Sequence, residues 1–150
     1  MEQHIQIVRN FYEAFARRDH RAMQLQYSDH IQFFDPVFGH LEGDQVRRMW
    51  QMLCERARDF SLVIGDIHAL DNEYVTCEWT ARYTYSMTGK PVVNKVKAHM
   101  RIQNGRITEH SDAFSFHRWA AQAFGWTGYW LGWTGFFRRK LQSKARAMVM

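Results

Sequence analysis

Ile31-Gln32-Phe33-Phe34-Asp35-Pro36-Val37-Phe38-Gly39 reads as a short strand that stops at a proline. Proline has no N–H to give to a ladder, and it keeps the residue before it extended. Side chains on a strand alternate between faces. Ile31, Phe33 and Asp35 therefore share one face, and His30, Gln32 and Phe34 the other. Asp35 lies in line with two apolar residues that point at a core. A carboxylate at the edge of an apolar interior is costly to ionise, so its pKa is expected to rise into the range of a general acid or base. The alternative is that Asp-Pro initiates a turn and the side chain only bonds nearby backbone.

Outward from this strand the pattern is helical. Ile5, Val8, Phe11, Tyr12, Phe15 and Ala16 recur at three- and four-residue spacing, as on an amphipathic helix. Asp19 is placed to cap a short second helix carrying Ala22, Met23 and Leu25. After Gly43, Asp44 opens a third helix with Val46, Met49, Trp50 and Leu53 on one face.

From Asp59 the period becomes that of strands, with turn signals at Asp71-Asn72, Thr88-Gly89 and Asn104-Gly105. Val75, Cys77, Trp79, Ala81, Tyr83 and Tyr85 alternate with polar residues, as do Val92, Asn94, Val96, Ala98, Met100 and Ile102 with Lys95, Lys97, His99 and Arg101. A long antiparallel meander with one apolar face needs a cover, and three N-terminal helices are available. The expected fold is α+β: a cone-shaped, curved antiparallel sheet covered by three helices, with an aromatic, basic helical tail. The last strand, 106–116, puts Thr108, His110, Asp112, Phe114 and Phe116 on one face, although Ile107 has the opposite parity and leaves room for a bulge. His110 and Asp112 then look into the interior that Asp35 faces, or else close a structural hydrogen bond with each other.

With 150 residues the chain suits one domain with a real core. Its net charge of +5 is unevenly placed. Residues 1–116 hold 14 Lys/Arg against 15 Asp/Glu, a net of −1, while the remaining 6 basic residues follow Phe116 with no acid among them. Basicity confined to a tail argues against a nucleic-acid-binding domain. No apolar stretch is long enough to span a bilayer, and the N-terminus is too polar for a signal peptide. Cys54 and Cys77 form no metal or redox motif and are expected as buried thiols in a reducing cytoplasm. No His/Cys spacing supports a metal, and no glycine-rich phosphate loop follows a strand, so neither metal nor cofactor is expected.

The element order, the Asp-Pro at a strand end and the run Gly105-Arg106-Ile107-Thr108-Glu109-His110-Ser111-Asp112 resemble the SnoaL-like branch of the nuclear transport factor 2-like superfamily, over roughly residues 4–117. The resemblance implies an apolar pocket between sheet and helices, a small hydrophobic ligand and a homodimer. Asp35-Pro36-Val37 is similar to the Asp-Pro-Val of ketosteroid isomerases, whose aspartate moves a proton alpha to a carbonyl. The oxyanion-donating tyrosine of those enzymes falls at Phe11 here and their protonated aspartic acid at Ala98, and neither can donate. Tyr12 is adjacent to Phe11, but one helical residue turns its side chain by about 100°. Asp112 resembles the last-strand aspartate of limonene-epoxide hydrolases and SnoaL-type cyclases. The Arg-x-Asp pair of the hydrolases falls at Trp79 and Ala81.

The leading expectation is an acid/base isomerase, cyclase or hydrolase with Asp35 as base and His110 and Asp112 as polar partners, and the alternative is a ligand-binding or interaction module without turnover. Tyr12, Phe15, Trp50, Trp79, Tyr83 and Phe114 are candidate ligand contacts, since the pocket of this fold is the unfilled end of its core. The domain is expected over residues 1–118. Residues 119–150 form an extension with Trp126, Tyr129, Trp130, Leu131 and Trp133 between glycines, then a basic amphipathic helix carrying Phe137, Leu141, Ala145 and Met148. The extension either packs on the domain or a dimer mate, or rests on an anionic membrane surface.

Overall fold

The computed structural model describes residues 1–125 and 135–150, apart from the side chains of Phe136 and Phe137. The expected aromatic cluster of Trp126, Tyr129, Trp130, Leu131 and Trp133 lies outside the described residues, as does the side chain of Phe137. Helices α1 (Glu2–Ala16) and α2 (His20–Gln24) precede a hairpin of β1 (Tyr27–Asp35) and β2 (Gly39–Glu42). Next come α3 (Asp44–Arg56) and four strands: β3 (Arg58–Ala69), β4 (Tyr74–Thr84), β5 (Pro91–Gln103) and β6 (Arg106–Ala113). The described chain ends with α4 (Phe116–Phe124) and α5 (Gly135–Ala147). No helix among the described residues is long and apolar enough to cross a membrane.

The six strands form one curved, unclosed sheet in the order β2-β1-β6-β5-β4-β3. The meander from β3 to β6 is antiparallel throughout. Two features add to the expected meander. Gly39–Glu42 folds back on β1 as a further strand, and β1 itself runs parallel to β6, aligning Phe33 with His110. That pairing brings Asp35 beside the His110–Asp112 segment. Asn104 (φ 52°) and Gly105 (φ 74°) are both left-handed, which a two-residue hairpin requires, and Gln103 pairs with Arg106 across them. A bulge falls at Thr108, which was expected on the inward face. Arg101 faces Glu109 and Ile102 faces Ile107, so Thr108 is the extra residue, and both Ile107 and His110 turn inward.

One core gathers Val8, Phe11, Tyr12, Ala14 and Phe15 of α1, Met23 of α2 and Val46, Met49, Trp50 and Cys54 of α3 against the inward rows of the sheet. Two inward assignments change. Ala16, at the end of α1, and Leu25, just past the five-residue α2, are exposed, Leu25 by 69%, while Met23 and Ala22 of α2 pack on the core. Asp19 caps α2 as expected, accepting from the Ala22 N–H at 3.1 Å. Cys54 and Cys77 are buried and unbridged, and burial pushes their thiols up to about 11 and about 12.

At the C-terminus, the Ser115 hydroxyl caps α4 by accepting from the Arg118 N–H at 3.2 Å. Helix α5 lies against the β1–β2 turn and α3. Leu141, Ala145 and Val149 are buried. Arg146 donates to the carbonyls of Phe38 and His40, and Arg48 donates to the carbonyl of Val149 at 2.8 Å.

Candidate functional site

Strand β1 buries Tyr27, Ile31, Phe33 and Asp35 and turns Phe34 outward, 48% exposed. Asp35 is only 8% exposed. Its Oδ1 accepts from the N–H groups of Val37 at 2.9 Å and Phe38 at 2.6 Å, so the same side chain faces the interior and closes the turn after Pro36. The two readings of Asp-Pro are thus compatible. Burial raises the Asp35 pKa from 3.8 to about 7. The Phe38 N–H pulls it down, the charge of Asp112 pushes it up and the Val37 N–H pulls it down again.

On β6, His110 and Asp112 are 2% and 5% exposed. His110 Nε2 lies 2.8 Å from Asp112 Oδ1, and Nδ1 lies 2.7 Å from the Tyr27 hydroxyl, which accepts from Trp50 Nε1–H at 2.8 Å. A carboxylate can only accept, so the tautomer that serves it carries its proton on Nε2 and accepts from the Tyr27 hydroxyl at Nδ1. Trp50, Tyr27, His110 and Asp112 thus form one directed chain of hydrogen bonds. Around it the imidazole is boxed by Phe11, Phe33 and a stacked Trp50 at ring separations of 5.5, 5.1 and 6.1 Å. Desolvation, reinforced by the Asp112 charge, holds the Tyr27 and Tyr12 hydroxyls well above pKa 10 and therefore neutral.

Asp35 and Asp112 both border a cavity of about 180 Å³ whose walls are mainly apolar. Phe15, Trp50, Trp79, Tyr83 and Phe114 line it, as do the side chains of Ala81 and Trp119. Two expected site residues stand behind the wall. His110 reaches the cavity only through Asp112, and Tyr12 does not border it, its hydroxyl lying 3.4 Å from His110 Nε2. The indole N–H of Trp79 is buried without a well-aligned acceptor and faces the Tyr12 hydroxyl. At the positions of the isomerase donors, Phe11 and Ala98 are fully buried, and Ala98 is the direct cross-strand neighbour of Asp112.

Several site residues escaped the sequence reading. Tyr27 has the same parity as Ile31, Phe33 and Asp35, a signal that was present in the alternation. Asn94 is a polar interruption of the inward row of β5 and lines the cavity beside Ala81, its pairing partner. Trp119 donates to the Tyr83 hydroxyl at 2.8 Å and closes one side. Leu141, Lys144, Ala145 and Met148 of the tail also line the cavity, which no local pattern announces. Among the described residues no group of His, Cys, Asp and Glu could hold a metal ion.

The SnoaL-like domain model matches residues 8–110. The chain belongs to the SnoaL-like family. Solved structures with the same fold include a hypothetical protein with a ketosteroid isomerase-like fold from Catenulispora acidiphila, in complex with trimethylamine. It is 17% identical, with 79% of this chain and 92% of that one covered and a TM-score of 0.68. A putative polyketide cyclase from Xanthomonas campestris is 19% identical, with coverages of 81% and 97% and a TM-score of 0.70. A putative isomerase from Bacillus subtilis is 16% identical, with coverages of 83% and 94% and a TM-score of 0.70. At these identities the likeness is one of fold. No curated protein matches the chain. The SnoaL-like match ends at His110, so Asp112, α4 and α5 lie beyond it.

Proposed function

We propose that this SnoaL-like protein is an acid/base enzyme that moves a proton on a small, hydrophobic molecule, as an isomerase, cyclase or hydrolase does. The observation that carries the reading is the pair of buried carboxyl groups, Asp35 and Asp112, on one apolar cavity. Asp35, with a pKa of about 7, gains and loses a proton near neutrality, where a general base is most effective. Its Oδ1 is held by two backbone N–H groups, so Oδ2 is the oxygen offered to the ligand. His110 fixes Asp112 and acts as a positioning residue, with Tyr27 and Trp50 behind it. Phe15, Trp79 and Tyr83 supply the apolar contact surface.

Proton exchange alpha to the carbonyl of β-tetralone, followed by proton NMR in deuterium oxide, tests the proposal. Exchange is expected to exceed the buffer rate, to rise as Asp35 ionises through about pH 7, and to vanish in Asp35→Asn. Exchange at the buffer rate across a panel of hydrophobic cyclic ketones would overturn it. A β,γ-unsaturated keto-steroid is expected to be a poor substrate. Phe11 and Ala98 offer no oxyanion donor, and losing even one such donor costs roughly 10²–10³ in rate.

The second reading is a binding module without turnover. What favours it is that same absence of donors, together with the backbone bonds that already occupy Asp35 Oδ1. Under either reading, α5 packs on the domain rather than on a membrane surface, which is supported by the buried Leu141, Ala145 and Val149. A homodimer belongs to the proposal too. Outward Phe34 and Val63, 48% and 65% exposed, support it, and sedimentation equilibrium measures it.

A further inference from the structure

Polar groups around the cavity are sorted by charge. Inside it are the carboxyls of Asp35 and Asp112, both buried. Among the lining residues there are also two cations, Arg56 at the last position of α3 and Lys144 on α5, and both are solvent-exposed, so they form a rim. Among the described residues, neither has a carboxylate within ion-pair distance. The polar contact of Arg56 is the thioether of Met148, 3.3 Å from Nη1, a weak acceptor. Among the described residues Arg47 pairs with Asp29 and Asp44, and Arg101 with Glu73 and Glu109, while most other arginines are, like Arg56, without a carboxylate partner. A helix dipole favours a cation in the last turn whatever its surroundings. What sets Arg56 and Lys144 apart is that two different helices bring them to one apolar opening.

We propose that Arg56 and Lys144 select a ligand carrying an anionic group on a hydrophobic body, held with its anion at the rim and its apolar part between Phe15, Trp50, Trp79 and Trp119. The inference rests on the reading of this cavity as the ligand site, and it deepens that reading by naming the ligand class. The buried carboxyls set the direction, because whenever ionised they repel an anion, and they leave the interior to a neutral carbonyl or hydroxyl. Lys144 belongs to α5, outside the family-matched residues 8–110. The Lys144 share of the selection is therefore added by this chain's C-terminal helix, while Arg56 lies within the matched residues.

A matched pair of fluorescent probes tests the proposal on the full chain: anilinonaphthalene sulfonate, which carries an anion, and phenylnaphthylamine, the same skeleton without it. The double variant Arg56→Gln/Lys144→Gln is expected to bind the sulfonate about tenfold more weakly, as two rim charges together would give. Its affinity for the neutral probe is expected to stay unchanged, which also reports that the variant is folded. Lys140→Gln, an exposed change on α5 away from the cavity, is expected to alter neither. Raised salt should weaken the sulfonate alone in the wild type. If the double variant loses no more affinity for the sulfonate than for the neutral probe, the anion selection is wrong while the pocket stands. If the wild type binds neither probe, the cavity is not a ligand site and both readings fall.

Discussion

The turn after β1 and the end of β6 deliver a carboxyl group to the same cavity by opposite means. Asp35 is held by the backbone N–H groups of Val37 and Phe38, two and three residues along the chain. Asp112 is held by the His110 side chain, which depends in turn on Tyr27 and Trp50 from β1 and α3. The first arrangement is local and has no cation in it, so burial dominates and the proton stays on to about pH 7. The second is assembled across three elements. The difference separates a carboxyl free to exchange its proton from one whose surroundings fix its place.

The largest effect is expected where the assembled arrangement is broken. His110→Ala leaves the Asp112 carboxylate buried without its partner and should cost about 3–5 kcal/mol, measured by urea unfolding at pH 7. A loss below about 1 kcal/mol would mean that Asp112 is held by something else.

At Asp35 the expected change has the other sign. Its folded pKa is raised, so the folded state keeps a proton that the unfolded chain has lost between about pH 4 and 7. Wild-type stability should fall as pH rises through that window. Asp35→Asn should remove this slope and stabilise the protein above pH 7, by at most about 4 kcal/mol. A flat wild-type profile would place the carboxyl in water.

Two smaller changes sharpen the contrast. Tyr27→Phe strips a partner from both Trp50 and His110 and should cost about 1–3 kcal/mol. It is expected to alter the pH profile of β-tetralone exchange less than any change at Asp35. Gly39→Ala should cost about 1–2 kcal/mol, because Gly39 has φ +71° and its added Cβ would sit 2.7 Å from Gln142 Nε2. A loss of sulfonate-probe affinity in Gly39→Ala would show that the β1–β2 turn seats α5.

What was legible in the chain follows the same divide. Local alternation and a proline placed Asp35, and strand parity placed His110 and Asp112, although it also turned Thr108 inward where the bulge lies. Spacing also found the three N-terminal helices, although it carried the apolar stripe too far, to Ala16 and Leu25. Hidden were the contacts whose partners lie far apart in sequence: the parallel β1–β6 pairing, the Tyr27–His110 bond and the docking of Leu141, Ala145 and Lys144 at the cavity. Strand alternation says which face a side chain takes and nothing of which strand lies next to it. Tyr12 shows the limit from the other side. Its helical spacing correctly put it in the core, yet the cavity begins one layer further on.

The central claim is that Asp35 is a buried carboxyl titrating near neutrality beside a second carboxyl in an apolar cavity. The most direct test follows the Asp35 side-chain carboxyl by carbon-13 NMR through a pH titration, in the wild type and in Asp112→Asn. The account predicts a midpoint near 7 in the wild type, moving down when the Asp112 charge is removed. A midpoint near 4, the ordinary value for a solvated aspartate, unmoved by Asp112→Asn, would contradict it.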